Sequence, residues 1–475
     1  MSVTVLRTFA VSTGAVTGIV RDGVVDVRGI RYGFAPRGAE VGPPDVAQAA
    51  PASFPQTPGL LDALLGPALG ELEQGEDAFG IRIQAPADAS GAPVLLFIHG
   101  GGFTSGSPEA RWYDAHDLVA ASGIVLVTVG YRLGALGVLS GTGGDGSGLP
   151  VRDLDRATRW VAENIAAFGG DPAAITIAGD SAGAWFAHAL SLLPWIAGRF
   201  ARTLLVSMPR MAPLSGADHT ERAEAFASHL APAACDTAPV TDVLAAQRQV
   251  PPAYRGQGFP FAPAASEELP AWLGEPALSA PRLHTGSLLL VTTASEAAAF
   301  LRPQPPESFT RARLEEYVGS TFADPDAALR YAEDRVTGEE TAYEALVAAT
   351  TLAQFTSTAY ELAAAATVPA GHVRLDVRSP LPRALAPHCF TLPFLFGDRA
   401  AWLDAPMLDG FDDELFERTR CALQDEVIAF VRGVEGSTPR WRRDDPRLLA
   451  IGSSGAAAAR YDSLSLLQPL ERSPR

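Results

Sequence analysis

A chain of 475 residues, 47% hydrophobic and 19% charged, has ample apolar material for a large core and does not read as a disordered protein. Its 37 basic and 54 acidic residues leave a net charge of −17, which disfavours nucleic acid or an anionic membrane as a partner. Three cysteines, Cys235, Cys389 and Cys421, are too few and too scattered for a disulfide framework or a zinc site, so reduced thiols in a cytoplasm are the simplest expectation.

The N-terminus has an early Arg7 but no clean apolar core or cleavage site, so no signal peptide is expected. No run reaches the roughly 18 apolar residues of a membrane helix. Residues 3–34 read as short strands around turns, with Val16 to Val20 and Val24 to Val27 separated by Arg21-Asp22-Gly23. The next forty residues, rich in Pro, Ala and Gly, predict loops and short helical pieces. Val94 to Ile98 is a continuous apolar run, as in a strand buried on both faces of a parallel sheet. It runs into His99-Gly100-Gly101-Gly102-Phe103. Three consecutive glycines would weaken any strand or helix, so this is a loop whose amides can approach a ligand closely. The bland alternative is a flexible loop tip.

Ile124 to Val129 predicts a second buried strand, followed by a glycine-rich loop from Gly141 to Gly148 and a helix over 156–168. Gly169-Gly170 stops that helix and Asp171-Pro172 opens a short connection. Then Ala174 to Asp180 reads as a buried strand, and Gly179-Asp180-Ser181-Ala182-Gly183 as a tight turn opening a helix that runs to Leu193. Such a strand–turn–helix exposes a serine at a helix N-terminus, where the macrodipole favours developing negative charge. An ordinary Gly-capped connection is the alternative. Leu204 to Val206 and Leu288 to Val291 are further strands, and His372 to Val377 a late one. Residues 217–280 and 306–368 read as helical insertions, and Asp413 to Arg432 as a final amphipathic helix. Alternating strands and helices at this spacing predict a large, mostly parallel α/β sheet with helices on both faces, as a single unit over 1–475.

In such sheets ligands sit beyond the C-terminal ends of the strands. The triple-glycine loop, Ser181, Glu296 and His388 all fall there. A serine needs a base within reach and the base needs an orienting carboxylate. The expected chain order of nucleophile, acid and histidine removes His99 and His116. His188 lies about 10 Å along the nucleophile's own helix, His219, His229 and His284 fall in or beside the insertion, and His372 sits at the wrong end of a strand. His388 remains. Glu296 directly follows a buried strand among apolar neighbours, where a carboxylate needs a partner; the alternative is a residue complementing a helix dipole.

At these residues the sequence resembles the type B carboxylesterase family, which includes para-nitrobenzyl esterases and cholinesterases. Gly29-Ile30-Arg31-Tyr32, Gly75-Glu76-Asp77-Ala78, His99 to Phe103, Tyr131 to Gly137, Asn164 to Pro172 and His388 to Gly397 carry the resemblance over most of the chain. It implies an α/β-hydrolase fold with helical cap insertions and the same triad, Ser181, Glu296 and His388. It also implies an oxyanion hole built from the amides of Gly101, Gly102 and Ala182. Ser207 falls where the family often has a buried serine near the triad. Asp180 replaces the family's usual Glu, and Ala78 replaces a cysteine, so the disulfide of secreted relatives cannot form. The arginine expected after Gly38 is missing around Val41, which leaves Glu76 without its usual partner. Residues 40–75 contain no tryptophan, so no quaternary ammonium site is expected there.

The resulting expectation is a serine hydrolase of small-molecule carboxylic esters with no metal or organic cofactor. Phe103, Trp112, Trp185 and Phe186 flank the motifs as candidates for an apolar gorge, with core packing as the alternative. An amidase or acyltransferase would use the same triad. A binding protein on a dead hydrolase fold is the rival of another class, disfavoured by the presence of the serine with both partners.

Overall fold

A computed structural model of the chain describes residues 5–140, 146–251 and 259–461. The loop expected from Gly141 lies outside them as far as residue 145; Gly146–Gly148 forms a 3-10 turn. Twelve strands form one sheet: β1 Val5–Val11, β2 Gly14–Arg21, β3 Val24–Arg31, β4 Gly80–Pro86, β5 Ala92–Ile98, β6 Val125–Val129, β7 Gly170–Asp180, β8 Arg202–Val206, β9 Leu288–Thr293, β10 Ala370–Leu375, β11 Arg447–Gly452 and β12 Gly455–Arg460. Their spatial order is β1-β2-β3-β4-β6-β5-β7-β8-β9-β10-β11-β12. All pairs from β6 to β11 are parallel, whereas β1 to β4 and β12 join antiparallel at the two ends.

The central strands explain why a parallel sheet forms here. Val94, Leu96 and Ile98 of β5 join one apolar core, while Leu95 and Phe97 join the other. In β6, Val125, Val127 and Val129 face the first core and Leu126 the second. Alternate side chains thus bury both faces, which is why these strands read as unbroken apolar runs. The helices Leu149–Asn164 and Ala182–Leu190 contribute to the first core and Asp413–Arg432 to the second.

Several boundaries differ from the sequence reading. The helix predicted over 156–168 begins at Leu149, because Pro150 fits a first turn, and ends in a 3-10 turn over Ile165–Phe168. β7 reaches back to Gly170, since a register shift opposite Ala92 and Val94 accommodates Pro172. The helix after Ser181 stops at Leu190 rather than Leu193. The insertion after residue 216 holds the helices Gly216–Leu230 and Val240–Gln247; the one after 306 holds Arg311–Thr321, Pro325–Glu333, Thr341–Thr351 and Ser357–Ala365. A π-helical turn, Leu352–Thr356, interrupts the last pair.

Glu76 does have a partner, contrary to the expectation from the missing later arginine. Arg37 reaches it bidentately at 2.6 Å through both Nε and Nη2. A nearby ion pair is deeper: Arg132 makes a fork to Asp153 at 2.8 and 2.6 Å, with both side chains almost wholly inaccessible. Removing the acid would strand a buried guanidinium. Asp153→Ala is expected to destabilise the fold by about 3–5 kcal/mol, read as a clear fall in the urea midpoint. A midpoint within error of wild type would show that Arg132 re-pairs or reaches water.

Candidate active site

The order of β6, β5 and β7 reverses at β5, which opens a crevice beyond the C-terminal ends of β5 and β7. The glycine loop leaves β5 and the serine turn leaves β7, so both meet there. The two glycines of the turn are dictated by space. A Cβ on Gly179 would overlap the carbonyl of Gly183, and one on Gly183 would overlap the carbonyl of Ile98. Between them Ser181 is held at φ 56° and ψ −121°, a strained conformation for a non-glycine residue. Its amide donates to Val206 O at 2.9 Å, and its carbonyl accepts from Trp185 N at 3.0 Å. Ser181 caps the helix Ala182–Leu190.

Glu296 and His388 are brought together as predicted. Glu296 Oε2 lies 2.6 Å from His388 Nδ1, and both side chains are buried. Glu296 Oε1 accepts from Ser207 Oγ and from Thr293 N, each at 2.7 Å. Ser207 therefore takes the supporting place that the sequence only suggested. The imidazole packs against both Phe300 and Phe355, with ring centroids 5.2 and 5.1 Å away, and these two rings stack on each other at 6.5 Å. Phe355 belongs to the π-helical turn, a local widening often found at functional sites. His388 Nε2 is buried and has no hydrogen-bond partner among the described residues. Burial pulls the His388 pKa down, but the hydrogen bond and charge of Glu296, with Asp180 behind, outweigh it and raise the pKa above 6.5.

Asp180 sits directly before the serine. Its Oδ2 accepts from Cys389 Sγ at 3.2 Å, while Oδ1 is buried without a partner among the described residues. Burial pushes its pKa up to about 6. Asp180, His388 and Cys389 offer ligand atoms within 4.8 Å of one another. They suit a proton network better than a metal ion. His388 Nδ1 is taken by Glu296, and burial, then the Asp180 charge, push the Cys389 thiol well up, away from the thiolate a metal needs.

Ser181, His388, Gly101 and Gly102 line one cavity of about 350 Å³, a size that suits a small organic substrate. Gly101 and Gly102 both have positive φ, 112° and 60°, which turns the loop backbone along the cavity wall. Ala182 follows the serine as the first helical residue. Leu60, Leu65, Trp112, Phe259, Phe300 and Leu392 supply much of the apolar wall.

Of the four aromatic candidates only Trp112 lines this cavity. Phe103, Trp185 and Phe186 are buried core residues, packed edge to face on one another with centroids 5.4–5.5 Å apart. A positive φ of 67° turns Phe103 beneath the loop, and the helix carries Trp185 and Phe186 against the sheet. His188 is buried without a partner among the described residues, and His372 bonds to Thr292 and Tyr461, so neither competes with His388. The segment Thr57 to Leu69 and Arg248, both on the cavity wall, went unremarked in the sequence reading. Only the lone basic residue just past the helix Val240–Gln247 could have drawn attention to the latter.

A model of the carboxylesterase family matches residues 8–255. A probable N-octanoylanthranilate hydrolase of Rhodococcus erythropolis is 31% identical over 93% of this chain and 96% of its own length. A phenmedipham hydrolase of Pseudarthrobacter oxydans is 29% identical over 94% and 96%. Among solved structures, a thermophilic PNB esterase superposes with a TM-score of 0.80 at 25% identity, covering 97% of this chain and 98% of that one.

Proposed function

The chain belongs to the carboxylesterase family, has its α/β-hydrolase fold and is a carboxylic ester hydrolase; from that premise we propose that Ser181, His388 and Glu296 are its catalytic triad. The observation that carries this reading is the buried Glu296–His388 pair, whose Nε2, unpartnered among the described residues, belongs to a side chain lining the same cavity as Ser181. Ser181 Oγ attacks the ester carbonyl carbon as His388 Nε2 takes its proton. The amides of Gly101, Gly102 and Ala182 hold the oxyanion; one such donor is worth about 2.7–4 kcal/mol. The tetrahedral intermediate expels the alcohol, which takes the proton from His388, and leaves an acyl-serine. Water, deprotonated by the same imidazole, releases the acid. No step calls for a metal or an organic cofactor.

The test is burst kinetics on a short-chain p-nitrophenyl ester, with a fluorophosphonate label mapped by peptide mass. A burst and a label on Ser181 are expected. A label elsewhere would overturn the assignment. A second reading, cleavage of an acyl–nitrogen bond, draws support from the relative named for hydrolysing an N-octanoyl compound. Comparing kcat/KM on octanoyl anilide and phenyl octanoate separates the two.

A histidine base must be neutral, and His388 is held above 6.5. The acid limb of kcat/KM is therefore expected above pH 6.5, with activity lost as pH falls through it. Asp180, itself near 6, stays largely charged across that limb and holds it up. Asp180→Asn is expected to move the limb to lower pH. A limb that stays in place would remove Asp180 from the proton network.

The enzyme works in a reducing cytoplasm on this reading, supported by the free thiols of Cys235, Cys389 and Cys421. Among the described residues no helix is long and apolar enough to cross a membrane. The continuous strand order supports one domain over 1–475 with helical insertions.

A further inference from the structure

We propose that this esterase prefers substrates that carry a carboxylate, and that Arg248 recognises it. The inference rests on the esterase reading above and names the substrate class of the same cavity. Arg248 follows the helix Val240–Gln247 in the first insertion and lines the active-site cavity while remaining exposed to solvent. The end of that helix is fixed in place: Gln247 Oε1 accepts from Ala135 N at 2.8 Å.

The charges on the cavity wall, among the described residues, are Asp62, Asp180, Arg248 and the titratable His388. Three of them are engaged inside the protein. Asp62 Oδ2 accepts from Gly59 N at 3.0 Å, Asp180 Oδ2 from Cys389, and His388 Nδ1 bonds to Glu296. Arg248 has no ion pair or side-chain hydrogen bond among the described residues. Val250, Phe259 and Leu61 are among the apolar residues that share the cavity wall with it.

An apolar substrate filling this cavity would strip water from part of the guanidinium and return nothing for it. A carboxylate would replace that water with a charge-assisted, bidentate pair. Long-range electrostatics set the local cation against the global field. A protein of net charge −17 repels an anion at a distance, so binding of an anionic substrate rests on a local cation such as Arg248 and not on the global field.

The test uses two matched pairs of esters: 4-(butanoyloxy)benzoate with its methyl ester, and mono-p-nitrophenyl glutarate with p-nitrophenyl pentanoate. The first places the carboxylate on the leaving group, the second on the acyl chain. The readout is the anionic-to-neutral ratio of kcat/KM. Arg248→Gln is expected to lower that ratio by roughly three- to tenfold in at least one pair. Arg248→Lys should recover part of it, and added salt should lower it in wild type more than in the Gln variant. A ratio unchanged by Arg248→Gln in both pairs would overturn the inference while leaving the esterase reading intact. Turnover of no ester by the wild type would overturn both.

Discussion

Ser181→Ala is expected to lower kcat on p-nitrophenyl esters by on the order of a hundred-thousand- to a millionfold and to abolish the burst. The size of the loss follows from the division of labour in the site. Ser181 shares the cavity with the glycine loop and His388. Ser181 is held at φ 56° between two glycines whose missing Cβ atoms allow β7 to turn directly into its helix. The variant should fold normally, because the hydroxyl makes no hydrogen bond among the described residues, and the backbone bonds to Val206 and Trp185 do not involve it. Stability and substrate binding are therefore controls: an inhibitor mimicking the ester should still bind. Residual turnover within tenfold of wild type would mean that a nucleophile other than Ser181, or activated water, carries the reaction.

Much of this site was readable from the chain because the constraints there are local or topological. Gly179 is required by steric overlap with Gly183, four residues on, and Gly183 by overlap with the end of the neighbouring strand at Ile98. Glu296 and His388 follow strands, and strand ends in a parallel sheet converge whatever lies between them. What the sequence hid depends on contacts between distant segments. Arg37 replaces the missing arginine beside Glu76 because its side chain reaches the same place from an earlier turn. The cavity wall from Thr57 to Leu69 comes from a stretch rich in Pro and Gly, with no periodicity to show which side chains face inward. Phe103, Trp185 and Phe186 were misplaced for a related reason. Adjacency to a motif in sequence says nothing of whether a side chain points above or below the backbone that carries it. β4 and the β11–β12 pair escaped because their signals are weak. β12 is Gly-Ala-Ala-Ala-Ala-Arg, mostly exposed, and alanine has little preference for a strand.

Glu296→Gln is the sharper probe of how the base is set up, with an expected fall in kcat of roughly ten-thousandfold. The hydrogen bonds around Glu296 determine the outcome. Its Oε1 faces two donors, the Ser207 hydroxyl and the Thr293 amide, and the amide cannot become an acceptor. A glutamine in this buried position must therefore place its carbonyl oxygen there, which turns its NH2 group toward His388 Nδ1. That nitrogen must then accept, so the imidazole proton moves to Nε2, the atom that has to receive the serine proton. The geometry survives while the tautomer is wrong. The loss should fall on kcat with little change in KM, and fluorophosphonate labelling of Ser181 should slow in parallel. The acid limb should also drop in pH, because the charge that most raises the His388 pKa is gone. Glu296→Asp, one methylene shorter, cannot span Ser207, Thr293 and His388 together and should fall between the two. If Glu296→Gln retained near-wild-type kcat, Asp180 would be the group that orients His388, and the Asp180→Asn variant would carry the large defect instead.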